Sequence, residues 1–96
     1  MNKENLIPTR EICAHYQVEI SFIRELHAHD LLEVETAGED SFLDRNRLKD
    51  LERFISLYYD MDVNLEGIEV VDRLLRQLDD AHERMRQLEN RLRLYE

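Results

Sequence analysis

Ninety-six residues, 36% of them charged, leave room for one small core, or a smaller core plus an arm, with apolar surface to be completed by another chain. Thirteen basic against 22 acidic residues give a net charge of −9, which disfavours phosphate backbones and favours basic protein surfaces. A single cysteine, Cys13, excludes an internal disulfide framework. The sequence has neither a signal-peptide pattern nor an apolar run of about 20 residues, so it reads as cytosolic, with no membrane partner.

The charge is uneven. Residues 1–43 carry three basic side chains (Lys3, Arg10, Arg24) against nine acids, whereas residues 44–96 carry ten against thirteen. The N-terminal half is therefore the more acidic surface.

The polar start, MNKEN, is expected to fray. In LIPTREICAHY, Thr9 is a candidate N-cap, and Ile12, Cys13 and Tyr16 share a helical face. QVEI reads as a turn. A second helix starts at Ser21 or just before it, carries Phe22, Ile23 and Leu26 at helical spacing, and runs to about His29. Asp30 then falls where a left-handed residue closes a helix. Leu32, Val34 and Thr36 alternate with Glu33 and Glu35 as in a half-buried strand, AGED turns around Gly38, and SFL returns as a second strand. Two short helices followed by a small hairpin describe a winged helix-turn-helix.

Asp44 can cap a third helix with an apolar stripe of Leu48, Leu51, Phe54, Ile55 and Tyr58, which DMDVN ends. From Asn64, a good N-cap, nothing interrupts helix formation, and thirty-odd residues give roughly 45–50 Å of helix. That exceeds what the core needs. The expected division is residues 1–63 as the winged domain and residues 64–96 as a dimerisation or partner-binding arm. Gly67 stands in the first turn of the arm, where it costs about 0.5–1 kcal/mol relative to alanine. The expected reason is close approach of its backbone to the third or first helix.

Steps of three and four from Val71 meet Leu74, Leu78, Ala81, Met85, Leu88, Leu92 and Tyr95, an a/d seam without a polar break. A straight helix of this length cannot keep its distal half on a small core, so the seam implies packing against another helix, most simply in a homodimer. Arg84 and Arg91 at g face Glu89 and Glu96 at e in a parallel pair. These surface pairs are worth only about 0.2–1 kcal/mol, and the antiparallel arrangement stays open.

Chemistry is sparse. His27 and His29 in HAHD stand two apart on a helix and point to different faces, so they do not share a metal ion. Cys13 beside Ile12 reads as a small buried hydrophobe. The sequence has no phosphate-cradling glycine loop and no nucleophile–base spacing. No catalytic, metal or cofactor-binding residue is assigned, and the expected protein is not an enzyme.

The stretches LIPTREICAHYQVEISFIRELHAHDLLEV and FLDRNRLKDLERFISLYYDMDVNLEGIEVV resemble the MerR-type winged helix-turn-helix. More closely, they are similar to the chaperone-modulator family (CbpM). The carriers are the Phe42-Leu43-Asp44 entry to the third helix, the Leu57-to-Val63 stretch and NLEGIE. The resemblance implies a mainly α fold: a MerR-like winged helix-turn-helix with a small β-hairpin wing and a long C-terminal coiled-coil-like helix. It also implies a partner, the J-domain of a DnaJ-like co-chaperone (DnaJ or CbpA type), whose stimulation of Hsp70 such modulators inhibit. A J-domain presents a basic helix, and the wing residues expected to meet it are Glu33, Glu35, Glu39, Asp40 and Phe42.

The departure from DNA-binding MerR domains is one of charge. Their wing carries arginines, whereas here it reads EVETAGEDSF, with Ser41 where an arginine falls and no Lys or Arg at all. The alternative, a MerR-family transcription regulator binding DNA as a dimer, has only Arg10, Arg24, Arg45 and Arg47 for phosphate contacts, so DNA is the disfavoured partner.

Overall fold

The computed structural model describes residues 5–95; the expectations for residues 1–4 and for Glu96 lie outside them. The order is β1 (Leu6–Pro8), α1 (Thr9–Tyr16), α2 (Ile20–Ala28), β2 (Glu35–Ala37) and β3 (Asp40–Asp44). A 3-10 turn (Arg45–Arg47), α3 (Leu48–Ile55), a π-helical turn (Ser56–Asp60) and α4 (Leu65–Arg93) complete the chain. This is a winged helix-turn-helix, mainly helical, with a long C-terminal helix.

Both short helices close in the same way. Gln17 adopts φ 56° and Asp30 φ 58°. The following amides return to the carbonyls five residues back, Val18 to Cys13 at 3.1 Å and Leu31 to Leu26 at 2.9 Å. This is the Schellman pattern, in which the residue after the left-handed position packs on the last turn. Leu26 and Leu31 are both buried, so the cap also seeds the core. The expectation for Asp30 is met. Gln17 does the same work at the helix-turn-helix bend.

Thr9 differs from its expected role. It is the first residue of α1, not its cap, and is 4% exposed; its Oγ1 lies 2.5 Å from Ser41 Oγ. The hydroxyl joins α1 to β3, so it cannot turn to the first amides of its own helix.

The wing is a three-stranded antiparallel sheet in the order β1-β3-β2. The expected hairpin, β2–β3 around Gly38 at φ 66°, is present. β1 adds a third strand, pairing Ile7 with Leu43 and Pro8 with Phe42. Pro8 is tolerated because β1 is an edge strand. β2 begins only at Glu35, so Leu32, Glu33 and Val34 of the expected strand lie outside it; Leu31 and Leu32 are both buried, and a strand cannot turn consecutive side chains to one face.

The core gathers Ile12 from α1, Phe22, Ile23 and Leu26 from α2, Leu31 and Leu32, Leu43 from β3, Leu51 and Phe54 from α3, and Ile68 from α4. Asp44 caps the 3-10 turn, not α3 itself: its Oδ1 accepts the Asn46 amide at 2.9 Å, and α3 follows that turn after Arg47 with no side-chain cap of its own. The helix ends in the π turn, where the Met61 amide reaches back five residues to the Ser56 carbonyl at 3.1 Å.

Asn64 caps α4 through Oδ1, which accepts the Gly67 amide at 2.8 Å. A Cβ on Gly67 would lie 2.7 Å from Val63 Cγ1 and 3.0 Å from Asn64 Oδ1, and no atom of α1 or α3 comes within 4 Å. The glycine therefore makes room for the cap and the residue before it, not for a neighbouring helix. α4 packs only at its start. Ile68 is buried, Val71, Asp72 and Leu75 are half-buried, and from Arg76 to Tyr95 every residue is exposed. The radius of gyration of 17.1 Å reflects this projection, since a compact chain of this length gives about 12–13 Å.

Candidate protein-interaction surface

Side chains alternate across β3. Leu43 points into the core and Ser41 accompanies it toward Thr9, so Asp40, Phe42 and Asp44 take the outer face. The register puts Pro8 and Glu35 beside Phe42 on that face, with Ala37 beside Asp40. Phe42 is half-buried and lies outside the core cluster. Glu33, Glu39 and Asp40 are exposed and Glu35 is half-buried. Of the expected partner residues, Glu35, Asp40 and Phe42 thus share one sheet face, Glu39 sits in the turn between β2 and β3, and Glu33 precedes β2.

Two of the four arginines open to a DNA reading, Arg10 and Arg47, have a carboxylate within 4.0 Å. Arg10 reaches Asp40 at 4.0 Å with both side chains well exposed, a contact of little energetic weight that still offsets charge. Arg47 pairs with Asp50 at 3.2 Å and keeps a buried Nε without a partner. Arg24 borders a groove between α2 and the wing together with Glu39 and Asp40. Arg45 is exposed in the 3-10 turn.

The two histidines of HAHD diverge as the helical spacing requires. His27 Nδ1 lies 3.0 Å from the Leu32 carbonyl, an acceptor only, so this nitrogen carries the proton and donates. His29 Nδ1 lies 2.5 Å from Glu69 Oε1 and ties the end of α2 to the base of α4. Cys13 is half-buried against the core, and burial pushes its thiol above the ordinary value near 9.0.

One feature escapes the sequence reading. Phe22, Tyr58 and Tyr59 form a mutual aromatic cluster, with ring centroids 4.8 Å (Phe22–Tyr58), 5.2 Å (Phe22–Tyr59) and 5.1 Å (Tyr58–Tyr59) apart. An α-helix turns successive side chains by about 100°, which would send Tyr59 away from the stripe that holds Tyr58. The wider π turn brings both rings to Phe22. The only signal in the sequence is the pair of tyrosines just before DMDVN. Burial raises the Tyr59 hydroxyl above its usual value near 10; the Glu19 backbone lowers it, while the nearby carboxylate of Glu19 adds to the rise.

Along α4 the seam residues Leu74, Leu78, Met85, Leu88 and Leu92 are between 50% and 65% exposed, Ala81 and Tyr95 are exposed, and Val71 is half-buried near the core. Their exposure is extensive for large apolar side chains on one helix face. No described helix is long and apolar enough to cross a membrane.

Fold and surface together define a regulatory winged helix-turn-helix module whose wing is acidic. The chain matches the family model described as MerR HTH family regulatory protein over residues 7–90 and belongs to that family. No curated protein and no solved structure matches it.

Proposed function

We propose that this protein is a chaperone modulator: a non-enzymatic, cytosolic module that binds the J-domain of a DnaJ- or CbpA-like co-chaperone and lowers its stimulation of Hsp70. The observation that carries the reading is the wing, in which Glu33, Glu35, Glu39 and Asp40 surround the outward Phe42 and no residue from Glu33 to Leu43 is basic. Such a surface complements a basic helix: its charge steers encounter and rejects like-charged partners, while the aromatic ring supplies an apolar anchor. Residues 1–63 act as the docking unit. Residues 64–96 are the arm, which joins two copies through Val71, Leu74, Leu78, Ala81, Met85, Leu88, Leu92 and Tyr95. A homodimer then presents two wings.

Titrating the protein into Hsp70 and its J-domain co-chaperone, with ATP hydrolysis as readout, tests this reading. Stimulation should fall to the unstimulated rate as the protein saturates the co-chaperone. Undiminished stimulation would reject it.

The family match is equally compatible with a second reading, a transcription regulator that binds DNA as a dimer, for which Arg10, Arg24, Arg45 and Arg47 are the available phosphate contacts. Gel shifts on genomic fragments at low salt separate the two. Tight, sequence-dependent binding would reverse the ranking.

A further inference from the structure

On the side of α2 away from the wing, a groove of about 390 Å³ is floored by Phe22, Tyr58 and Tyr59 and walled by Glu19, Ser21 and Glu25. None of its lining residues is basic. Two exposed carboxylates therefore line the groove together with the aromatic rings; Glu19 accepts from the Ser21 hydroxyl at 3.3 Å, and neither carboxylate is ion-paired among the described residues. Tyr59 is 44% exposed, so its ring is open to a visitor. The groove also depends on an uncommon backbone device, the π turn of Ser56–Asp60, which turns Tyr59 onto α2. π turns cost regular hydrogen bonding and recur at functional sites.

We infer that this groove is a second docking site, which takes an arginine side chain from a protein segment. A planar guanidinium stacks on an aromatic face and directs its N–H fork at carboxylates in one placement, so both features of the groove are used at once. An ammonium ion uses the charge but not the plane. A nucleic acid brings the wrong sign to a chain of net charge −9. The groove shares no residue with the outer face of the wing, and the assignment survives if the J-domain reading fails.

The test uses the full chain, isotopically labelled, titrated with N-acetyl-arginine amide and, separately, with N-acetyl-citrulline amide, which keeps the shape but loses the charge. Ring resonances of Phe22, Tyr58 and Tyr59 report the site. Arginine amide should shift them saturably, with citrulline amide bound about fivefold more weakly or worse. Tyr59→Leu keeps apolar bulk and should weaken arginine binding by about the same factor, because the loss is of ring quadrupole and not of packing. Glu25→Gln should weaken it as well, and Glu33→Gln on the wing should not. Equal binding of the two amides, shifts that miss the tyrosines, indifference to Tyr59→Leu, or no binding at all would each overturn the assignment.

Discussion

Replacing Gly67 by alanine opposes two local effects of similar size. On helix propensity alone the change should stabilise α4 by about 0.5–1 kcal/mol. The new methyl, however, would stand 2.7 Å from Val63 Cγ1 and 3.0 Å from the Asn64 oxygen that caps the helix. Val63 is half-buried against the core and its amide is held to the Leu57 carbonyl at 2.9 Å, so it has little freedom to retreat. Turning its β-branched side chain off a preferred rotamer costs roughly 0.5–1.5 kcal/mol. Displacing the cap costs about 1 kcal/mol more. The balance is a destabilisation of about 0.5–2 kcal/mol, or a Tm lower by about 5 °C or more for a chain of this size. A double-mutant cycle with Asn64→Ala, read by urea unfolding and circular dichroism, isolates the mechanism. Asn64→Ala should cost about 1 kcal/mol alone and close to nothing once Gly67 is alanine. If Gly67→Ala stabilises the protein while the cost of Asn64→Ala is unchanged, the steric reasoning is wrong.

The same geometry has other consequences. His29→Ala should lower stability by about 1 kcal/mol, a charge-assisted bond discounted for partial exposure, and it should increase hydrogen exchange in the first turns of α4. Tyr16 donates to Glu52 at 3.2 Å, and burial first, then the charge and hydrogen bond of that carboxylate, raises its pKa above 10. The fold favours the neutral phenol, so stability from this group is full below pH 10 and is lost as pH rises through the higher folded value. Denaturant midpoints at increasing alkaline pH should fall, and less steeply in Glu52→Gln. Leu78→Glu with Leu88→Glu should leave the circular dichroism of the winged core intact and convert a dimer to a monomer in sedimentation; a monomeric wild type at high concentration would rule out the seam as a self-association face.

Much of the fold is readable from the sequence because local chemistry and tertiary structure agree. Asp30 closes α2, Gly38 turns the hairpin, Asp44 and Asn64 cap the helical segments after them, and the stripe of α3 faces the core. The failures have a common cause in partners far away in sequence. β1 is three residues long, too short to show alternation, and exists because β3 lies beside it. Thr9 has the chemistry of a cap, but Ser41, thirty-two residues on, takes its hydroxyl. Gly67 reads as a contact point between helices because a missing side chain in sequence carries no direction; in the fold it faces its own cap. The π turn is hidden because SLYYD continues an ordinary helical stripe, and only the five-residue hydrogen bond separates the two forms. The wing acids are legible as charge. That Glu35, Phe42 and Asp40 share one face requires the register.

If the acidic outer face of the wing binds a basic J-domain, titration calorimetry of the isolated J-domain against this protein should show it. Saturable binding at low salt should weaken at least tenfold in Glu33→Lys with Glu35→Lys, and should weaken as ionic strength rises toward about 0.3 M, where screening reaches within ~6 Å. Binding that ignores both the charge reversal and the salt, or no binding to the J-domain at low salt, would mean that the wing is not a J-domain docking face.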